Sequence, residues 1–324
     1  MAVVVCSDRN LFWQAAFFLA RSLASDREGR LDHFLYCSDP LDARFRDLLG
    51  DRVTVVEKQA PEVDEQVGIS SHLTTTALLR IVALEELCAA YKQVAYSDVD
   101  IFLRWGSFAE LTPLAGHDKP VAAIRDRSLW GDKPERWVAR NYFPNLPDGV
   151  AGQYFNAGIL IANGPLYLEQ EVSARSLAFL RDHPEKCHYS DQSALNAAVN
   201  GNWLELSPSW NWQANMRYDH LIPLRNPRLV HFTGPVKPWK DRLRRFDEVY
   251  FYAMETWLEA NGMQDILSAL PDRLFSASRE RMRTRMLGEG HDPMAMREAG
   301  KAYLNRTDFA DTGIGLQVYG WDEG

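Results

Sequence analysis

Two stretches of the 324-residue chain carry side chains that could do chemistry together. The first is "QVAYSDVDIFLRW" at 93–105, where Asp98 and Asp100 interrupt an otherwise apolar run. In a single buried strand, residues i and i+2 share a face about 6–7 Å apart. Two like charges then stand side by side where hydration is poor, which is costly unless a cation, a proton or an open cleft compensates. An exposed loop with two solvated carboxylates is the rival reading. The second stretch is "HFTGPVKPW" at 231–239, in which His231 and Lys237 flank a Thr-Gly-Pro turn directly after a strand. Gly234 permits close backbone approach, Pro235 and Pro238 stiffen the loop, and Lys237 is a point charge suited to phosphate. Alone, this is a rigid turn with a surface lysine. With the first stretch it makes a coherent set: two carboxylates and an imidazole to hold a divalent cation, phosphate oxygens in the remaining positions, and Lys237 to offset residual charge. The imidazole tilts the choice to Mn²⁺, with Mg²⁺ second, because Mg²⁺ prefers an all-oxygen shell.

The elements that must position these groups alternate over the first hundred residues. "AVVVC" at 2–6 predicts a strand, 11–24 a helix, "DHFLYC" at 32–37 a strand, and about 40–49 a polar helix. "RVTVVEK", a helix over about 74–90, and the Asp98 strand follow. Strand–helix alternation of this kind predicts an α/β fold, a mostly parallel sheet flanked by helices, with ligands beyond the C-terminal strand ends. Ser7, Asp8 and Asn10 then share a rim with Asp98 and Asp100. Further on, 106–152 reads as loops with short elements, "YFNAGILIAN" at 154–163 as a strand, "SDQSALNAAVN" at 190–200 as a helix, and "RLVHFTG" at 228–234 as a strand ending in a turn. The pattern is helical beyond about 245. The predicted division is a catalytic domain over 1–265 and a C-terminal helical extension and tail over 266–324.

A net charge of −8 argues against nucleic acid as the main partner. Cys6, Cys37, Cys88 and Cys187 are widely spaced, with no disulfide framework, which suits a reducing cytoplasm. The apolar run "LFWQAAFFLARSLA" is broken by Gln14 and Arg21, is too short to span a bilayer, and lacks the basic lead-in of a signal peptide. Arg279, Arg281, Arg283 and Arg285 could attract an anionic membrane surface, but a solvated helix balanced by Glu280 and Glu289 is favoured.

Taken in order, these motifs resemble glycosyltransferase family 8, the retaining GT-A type enzymes that include bacterial lipopolysaccharide galactosyl- and glucosyltransferases and glycogenin. The resemblance covers roughly residues 2–240. "SDVD" stands at the family's metal-binding Asp-x-Asp, and "HFTGPVKPW" at its His-x-x-Gly-x-x-Lys-Pro-Trp. It implies metal ligation by Asp98, Asp100 and His231, and diphosphate contact by Gly234 and Lys237. It further implies donor contacts from Asn156 in "YFNAGILIAN" and Arg80 in "LLRIVALEEL", a site position near His72, and uridine contacts from Asp8 and Asn10. Asp98 would contact the donor as well as the metal. Asp191 and Gln192 of "YSDQSALNAA" stand at the family's Asp-Gln pair, which implies sugar binding by Asp191 and a place for Gln192 near the reactive face. Other readings stay open: Asp191 could simply cap a helix, Asn156 could bond a loop, and Gln192 could face solvent. Arg80 is harder to dismiss, because a guanidinium within an apolar helix needs an anionic partner. Leu11 stands where the family often has Tyr, and Phe12 is the nearest substitute.

The resemblance implies a metal-dependent transfer of a hexose from a UDP-sugar to a saccharide or lipopolysaccharide-type acceptor, with retention. The alternative on the same site is a metal-dependent nucleotide-sugar hydrolase or pyrophosphatase. No motif extends into 241–324; within 266–324, Met282, Met286, Leu287, Met294 and Met296 among arginines predict one or two amphipathic helices laid against the catalytic domain, which either close over the acceptor side of the cleft or only complete the core.

Overall fold

The computed structural model describes residues 1–60, 75–131, 138, 146–147, 149–150, 152–214, 221–234, 236–241, 248–271, 301–304 and 306–311. His72, Pro235, the arginine run at 279–285 and the methionines between 282 and 296 lie outside them.

Among the described residues, ten strands make two sheets. The larger is built from β1 (Ala2–Ser7), β2 (Asp32–Cys37), β3 (Val53–Glu57), β4 (Gln93–Ser97), β6 (Val121–Arg125), β7 (Phe155–Asn163) and β8 (Leu204–Glu205), in the order β3-β2-β1-β4-β7-β6-β8. The smaller has the order β5-β10-β9, from β5 (Ile101–Leu103), β9 (Trp212–Gln213) and β10 (Leu229–His231). Pairings from β3 through β4 are parallel, as the βαβ pattern predicts, and so is β6 with β8. Strand β7 runs antiparallel to both of its neighbours, β4 and β6.

Period-two alternation divides the sheet's side chains between two core layers. Val3, Val5, Ala95, Ile159 and Ile161 face one layer. Ala2, Val4, Cys6, Val94, Tyr96, Leu160 and Ala162 face the other. Helices α1 (Phe12–Ser25) and α2 (Ala43–Leu49), with the small sheet and α7 (Glu248–Ala260), cover the first face. Helix α3 (Thr75–Ala90) and the run α4 (Gly164–Glu169), α5 (Val172–Asp182) and α6 (Asp191–Val199) cover the second. Phe12, Ala15, Ala16, Phe17, Phe18 and Leu19 of α1 are buried, and each large side chain among them contributes about 1.5–3 kcal/mol. Burying this stripe is what the N-terminal apolar run is for. None of the described helices is long and apolar enough to cross a membrane. All four cysteines are free and buried.

Asp98 and Asp100 are not within one strand, as the sequence suggested. Strand β4 stops at Ser97, and Asp98–Val99–Asp100 is a turn carrying the chain from the large sheet to the small one. The turn is pinned at both ends: Asp98 N–H donates to the Gly158 carbonyl at 2.9 Å, and the Asp100 carbonyl accepts from Phe232 N–H at 3.0 Å. The carboxylates thus escape strand burial and gather at the sheet junction.

Residues 301–304 and 306–311 add to the first core layer. Tyr303, Leu304 and Phe309 are buried in it, and Tyr303 stacks on Trp130 at 6.0 Å.

Candidate active site

The junction of the two sheets brings the chemistry-bearing residues together. Antiparallel pairing sets His231 opposite Ile101, one residue from Asp100. Asp98, Asp100 and His231 each turn one ligand atom into a common space, all within 4.8 Å of one another. His231 Nε2 lies 3.3 Å from Asp100 Oδ1 and 3.7 Å from Asp98 Oδ2. Lys237 reaches in from the Gly234 turn, with Nζ 2.5 Å from Asp100 Oδ2 and 2.8 Å from the Phe232 carbonyl. Gly234 adopts φ +97, a conformation that only glycine takes without strain.

The other ring nitrogen of His231 fixes its protonation. Nδ1 lies 3.1 Å from Asn156 Oδ1 and 3.0 Å from Asn211 Oδ1. Asn156 Oδ1 already accepts from Gly158 N–H at 3.0 Å, so it is an acceptor. Neutral His231 therefore carries its proton on Nδ1 and turns the Nε2 lone pair towards the two carboxylates. A lone pair and two carboxylates converging on one point is the donor set of a divalent cation, with the outer amides holding the imidazole as such sites require. The residues fit a metal.

The second carboxylate partner network lies beneath. Asp98 Oδ1 accepts from Tyr96 Oη at 2.7 Å and lies 3.5 Å from Arg80, which leaves Oδ2 facing the cation space. Arg80 is 7% exposed and comes up from α3. It contacts Asp191 Oδ2 at 2.5 Å as an ion pair rather than an aligned hydrogen bond, donates to the Ala157 carbonyl at 2.6 Å, and stands over the Tyr96 ring at 4.9 Å. The anionic partner that an arginine in this helix required is thus Asp191 together with Asp98. Burial works against the Arg80 charge, but Asp191 and then Asp98 outweigh it and hold the guanidinium above its usual range. Burial pushes the Asp191 carboxyl up, Arg80 pulls it down and Asp98 raises it again, leaving it at about 6. Burial also acts to raise Asp100, but the Lys237 ammonium beside it holds it well below the usual carboxylate range.

Asp191 opens α6 directly after Ser190, whose φ of 50 is unusual for a non-glycine residue. Gln192 is not solvent-facing: its Oε1 accepts from Asn156 Nδ2 and Ala157 N–H, both at 3.0 Å, and its Nε2 lies 3.2 Å from Tyr154 Oη. On the rim at the end of β1, Asp8 Oδ1 accepts from Asn10 N–H at 2.8 Å, and Asn10 is exposed. Two residues that sequence reading missed complete the site. Asn211 lies in "SPSWNWQ", with no signal beyond its place among aromatics; Gly158 follows Asn156 in the strand motif, where its lack of a side chain is the signal. A cavity of about 560 Å³ lies elsewhere, lined among others by Phe17, Arg21, Trp105, Glu110 and Trp257, and includes none of these residues.

A sequence model of glycosyl transferase family 8 matches residues 3–242. The chain belongs to that family. It is 29% identical over 202 residues to General stress protein A of Bacillus subtilis (strain 168), covering 57% of this chain and 66% of that protein. It is 28% identical over 174 residues to the lipopolysaccharide 1,3-galactosyltransferase of Salmonella typhimurium, covering 51% of this chain and 50% of that enzyme. The chain thus spans between half and two thirds of the length of these curated relatives. Among solved structures, apo WbbM, a bifunctional glycosyltransferase, matches with TM-score 0.62 at 16% identity over 83% of this chain and 51% of that one. The galactosyltransferase LgtC, in complex with donor and acceptor sugar analogs, matches with TM-score 0.55 at 18% identity over 81% and 96%. At such identities the likeness establishes the GT-A type fold of this family 8 member.

Proposed function

We propose that this family 8 chain transfers a hexose from a UDP-sugar to a saccharide or lipopolysaccharide-type acceptor, with retention at the anomeric carbon, in the cytoplasm. The observation that carries this reading is the convergence of Asp98 Oδ2, Asp100 and His231 Nε2 beside Lys237. Mn²⁺ is the preferred ion, because an imidazole joins the carboxylates. Bound there, a divalent cation supplies a Lewis acid for the charge that develops on the departing UDP.

The chain's own groups do the remaining work. Lys237, on a mobile aliphatic stem beside Asp100, donates to diphosphate oxygens, and the side-chain-free Gly234 turn lets phosphate approach the backbone. Asp8 and Asn10 at the end of β1 hold uridine. Asp191 accepts hydroxyl hydrogens of the transferred sugar, and Asn156 contacts the donor from β7. Arg80 sits under the sugar side and keeps Asp191 and Asp98 in position. Gln192 is a weak nucleophile whose Oε1 already accepts two hydrogen bonds. Attack by the acceptor on the face that UDP leaves is therefore the favoured route to retention, with Gln192 lining the reactive face.

The test is a screen of UDP-hexoses for Mn²⁺-dependent UDP release, with and without saccharide acceptors. Acceptor-dependent release with a new glycoside of retained configuration supports the proposal. Equal release without acceptor would make the chain a hydrolase instead.

A further inference from the structure

Asp311 closes the described chain, well beyond the family match that ends at residue 242. It is wholly buried. A carboxylate in such a place is tolerated only when its oxygens are engaged, and both are. Oδ1 accepts from Ser207 N–H at 2.8 Å, and Oδ2 accepts from Trp210 Nε1–H at 3.0 Å. These two donors bracket the tight turn Pro208–Trp210. The next residue is Asn211, also wholly buried. Its Oδ1 accepts from His231 Nδ1 at 3.0 Å, and its Nδ2 donates to Asn156 Oδ1 at 2.8 Å. Arg228 clamps the same indole from its face, 5.0 Å from the ring, and is held by Glu110 at 2.5 Å. A continuous line of contacts therefore runs from the C-terminal segment to the imidazole.

We propose that Asp311 is a positioning residue for His231: it fixes the Ser207–Asn211 turn, and so holds Asn211 against Nδ1 and the Nε2 lone pair towards Asp98 and Asp100. This rests on the reading of Asp98, Asp100 and His231 as a metal site. The C-terminal segment then serves the metal site itself, not only the acceptor side of the cleft. Partners outside the ligand shell typically change metal affinity by 10–100-fold when removed, and Asp311 acts one residue further out, at about tenfold.

Asp311→Ala, Trp210→Phe and the double variant test this, with Leu87→Ala as a control that destabilises the opposite core layer. Free Mn²⁺ is titrated by electron paramagnetic resonance, and the His231 ring nitrogens of the metal-free protein are followed by NMR. The expected result is about tenfold weaker Mn²⁺ binding in Asp311→Ala, a smaller loss in Trp210→Phe, which removes only one of the two hydrogen bonds to Asp311, and no loss in the double variant beyond that of Asp311→Ala. Their His231 spectra should also show depletion of the Nδ1-protonated tautomer, while Leu87→Ala lowers the melting temperature and leaves both readouts unchanged. If Asp311→Ala does not fold, Trp210→Phe, which keeps an aromatic ring in place but removes the indole N–H, carries the test. Wild-type Mn²⁺ affinity and His231 spectrum in the folded variants would overturn the proposal, as would an equal loss in Leu87→Ala. If the wild type itself binds no Mn²⁺, the metal reading fails separately. The His231 spectrum then decides alone: a change on removing Asp311 or the indole N–H sustains the positioning role, and no change overturns it.

Discussion

The imidazole of His231 occupies the space that a side chain on Gly158 would fill. A Cβ built on Gly158 would lie 2.3 Å from His231 Cε1 and 2.5 Å from Nδ1. The glycine in the "FNAGILIAN" strand thus makes room for the imidazole, and Asn156, two residues before it, bonds the same ring.

Gly158→Ala should therefore push the imidazole away from Asp98 and Asp100. The overpacking costs about 1–3 kcal/mol of stability, and Mn²⁺ affinity should fall at least tenfold, as for loss of ligand orientation. Mn²⁺ titration and thermal melting check both. Unchanged metal binding would remove the assigned role of the glycine.

Lys237→Ala should weaken binding of UDP itself in the presence of Mn²⁺, since a charged donor to the diphosphate acts in the ground state as well as the transition state. Losing one charged hydrogen bond of about 1.5–3 kcal/mol corresponds to roughly a tenfold or larger fall in affinity. Calorimetry with UDP reads it, and an affinity equal to wild type would refute the contact.

Arg80→Met should be among the most damaging single changes. It strands Asp191, 3% exposed, without its cation, and breaking a buried pair costs about 3–5 kcal/mol. Denaturant unfolding of the purified variant measures the loss. A change within about 0.5 kcal/mol, the range of ordinary surface substitutions, would contradict the pairing.

The Asp191 carboxyl, at about 6, should leave two opposite marks on pH dependence. Its folded value lies above the ordinary 3.8, so protonation favours the native state. That stabilisation is fully present below pH 3.8 and lost as pH rises through about 6. Activity should move the other way, rising through the same range as the carboxylate becomes able to accept sugar hydroxyls. Melting temperature and rate against pH should each show the feature, and Asp191→Asn should remove it from the melting curve.

Much of this was legible in sequence because it rests on local pattern. Buried β-branched runs and helical periodicity predict β1, β2, β3 and α1 within a residue or two of their observed ends. The motif residues Asp98, Asp100, His231 and Lys237 do meet, because antiparallel pairing of β10 with β5 sets His231 beside the turn that carries the two carboxylates. The break between Ser97 and Ile101 was not legible: an apolar run containing two Asp reads the same whether it is one strand or two strands in different sheets. The reversed β7 has the apolar composition of any central strand, so its direction is invisible to pattern. Asn211 and Asp311 act through hydrogen bonds that reach across 20 residues and 101 residues of chain, and no local period records such a contact. The same contacts bear on the C-terminal segment. A chain ending at Gly262 loses Tyr303, Leu304, Phe309 and Asp311 from the core, so it should lose thermal stability together with UDP binding.

The central claim is a metal-dependent nucleotide site at Asp98, Asp100 and His231. Calorimetric titration of UDP, with and without Mn²⁺, into the wild type, Asp100→Asn and His231→Ala tests it most directly, with thermal melting to confirm that each variant is folded. UDP should bind the wild type tightly only when Mn²⁺ is present, and both folded variants should lose that Mn²⁺-dependent gain. Equal UDP affinity with and without Mn²⁺ in the wild type, or an undiminished gain in either folded variant, would contradict it.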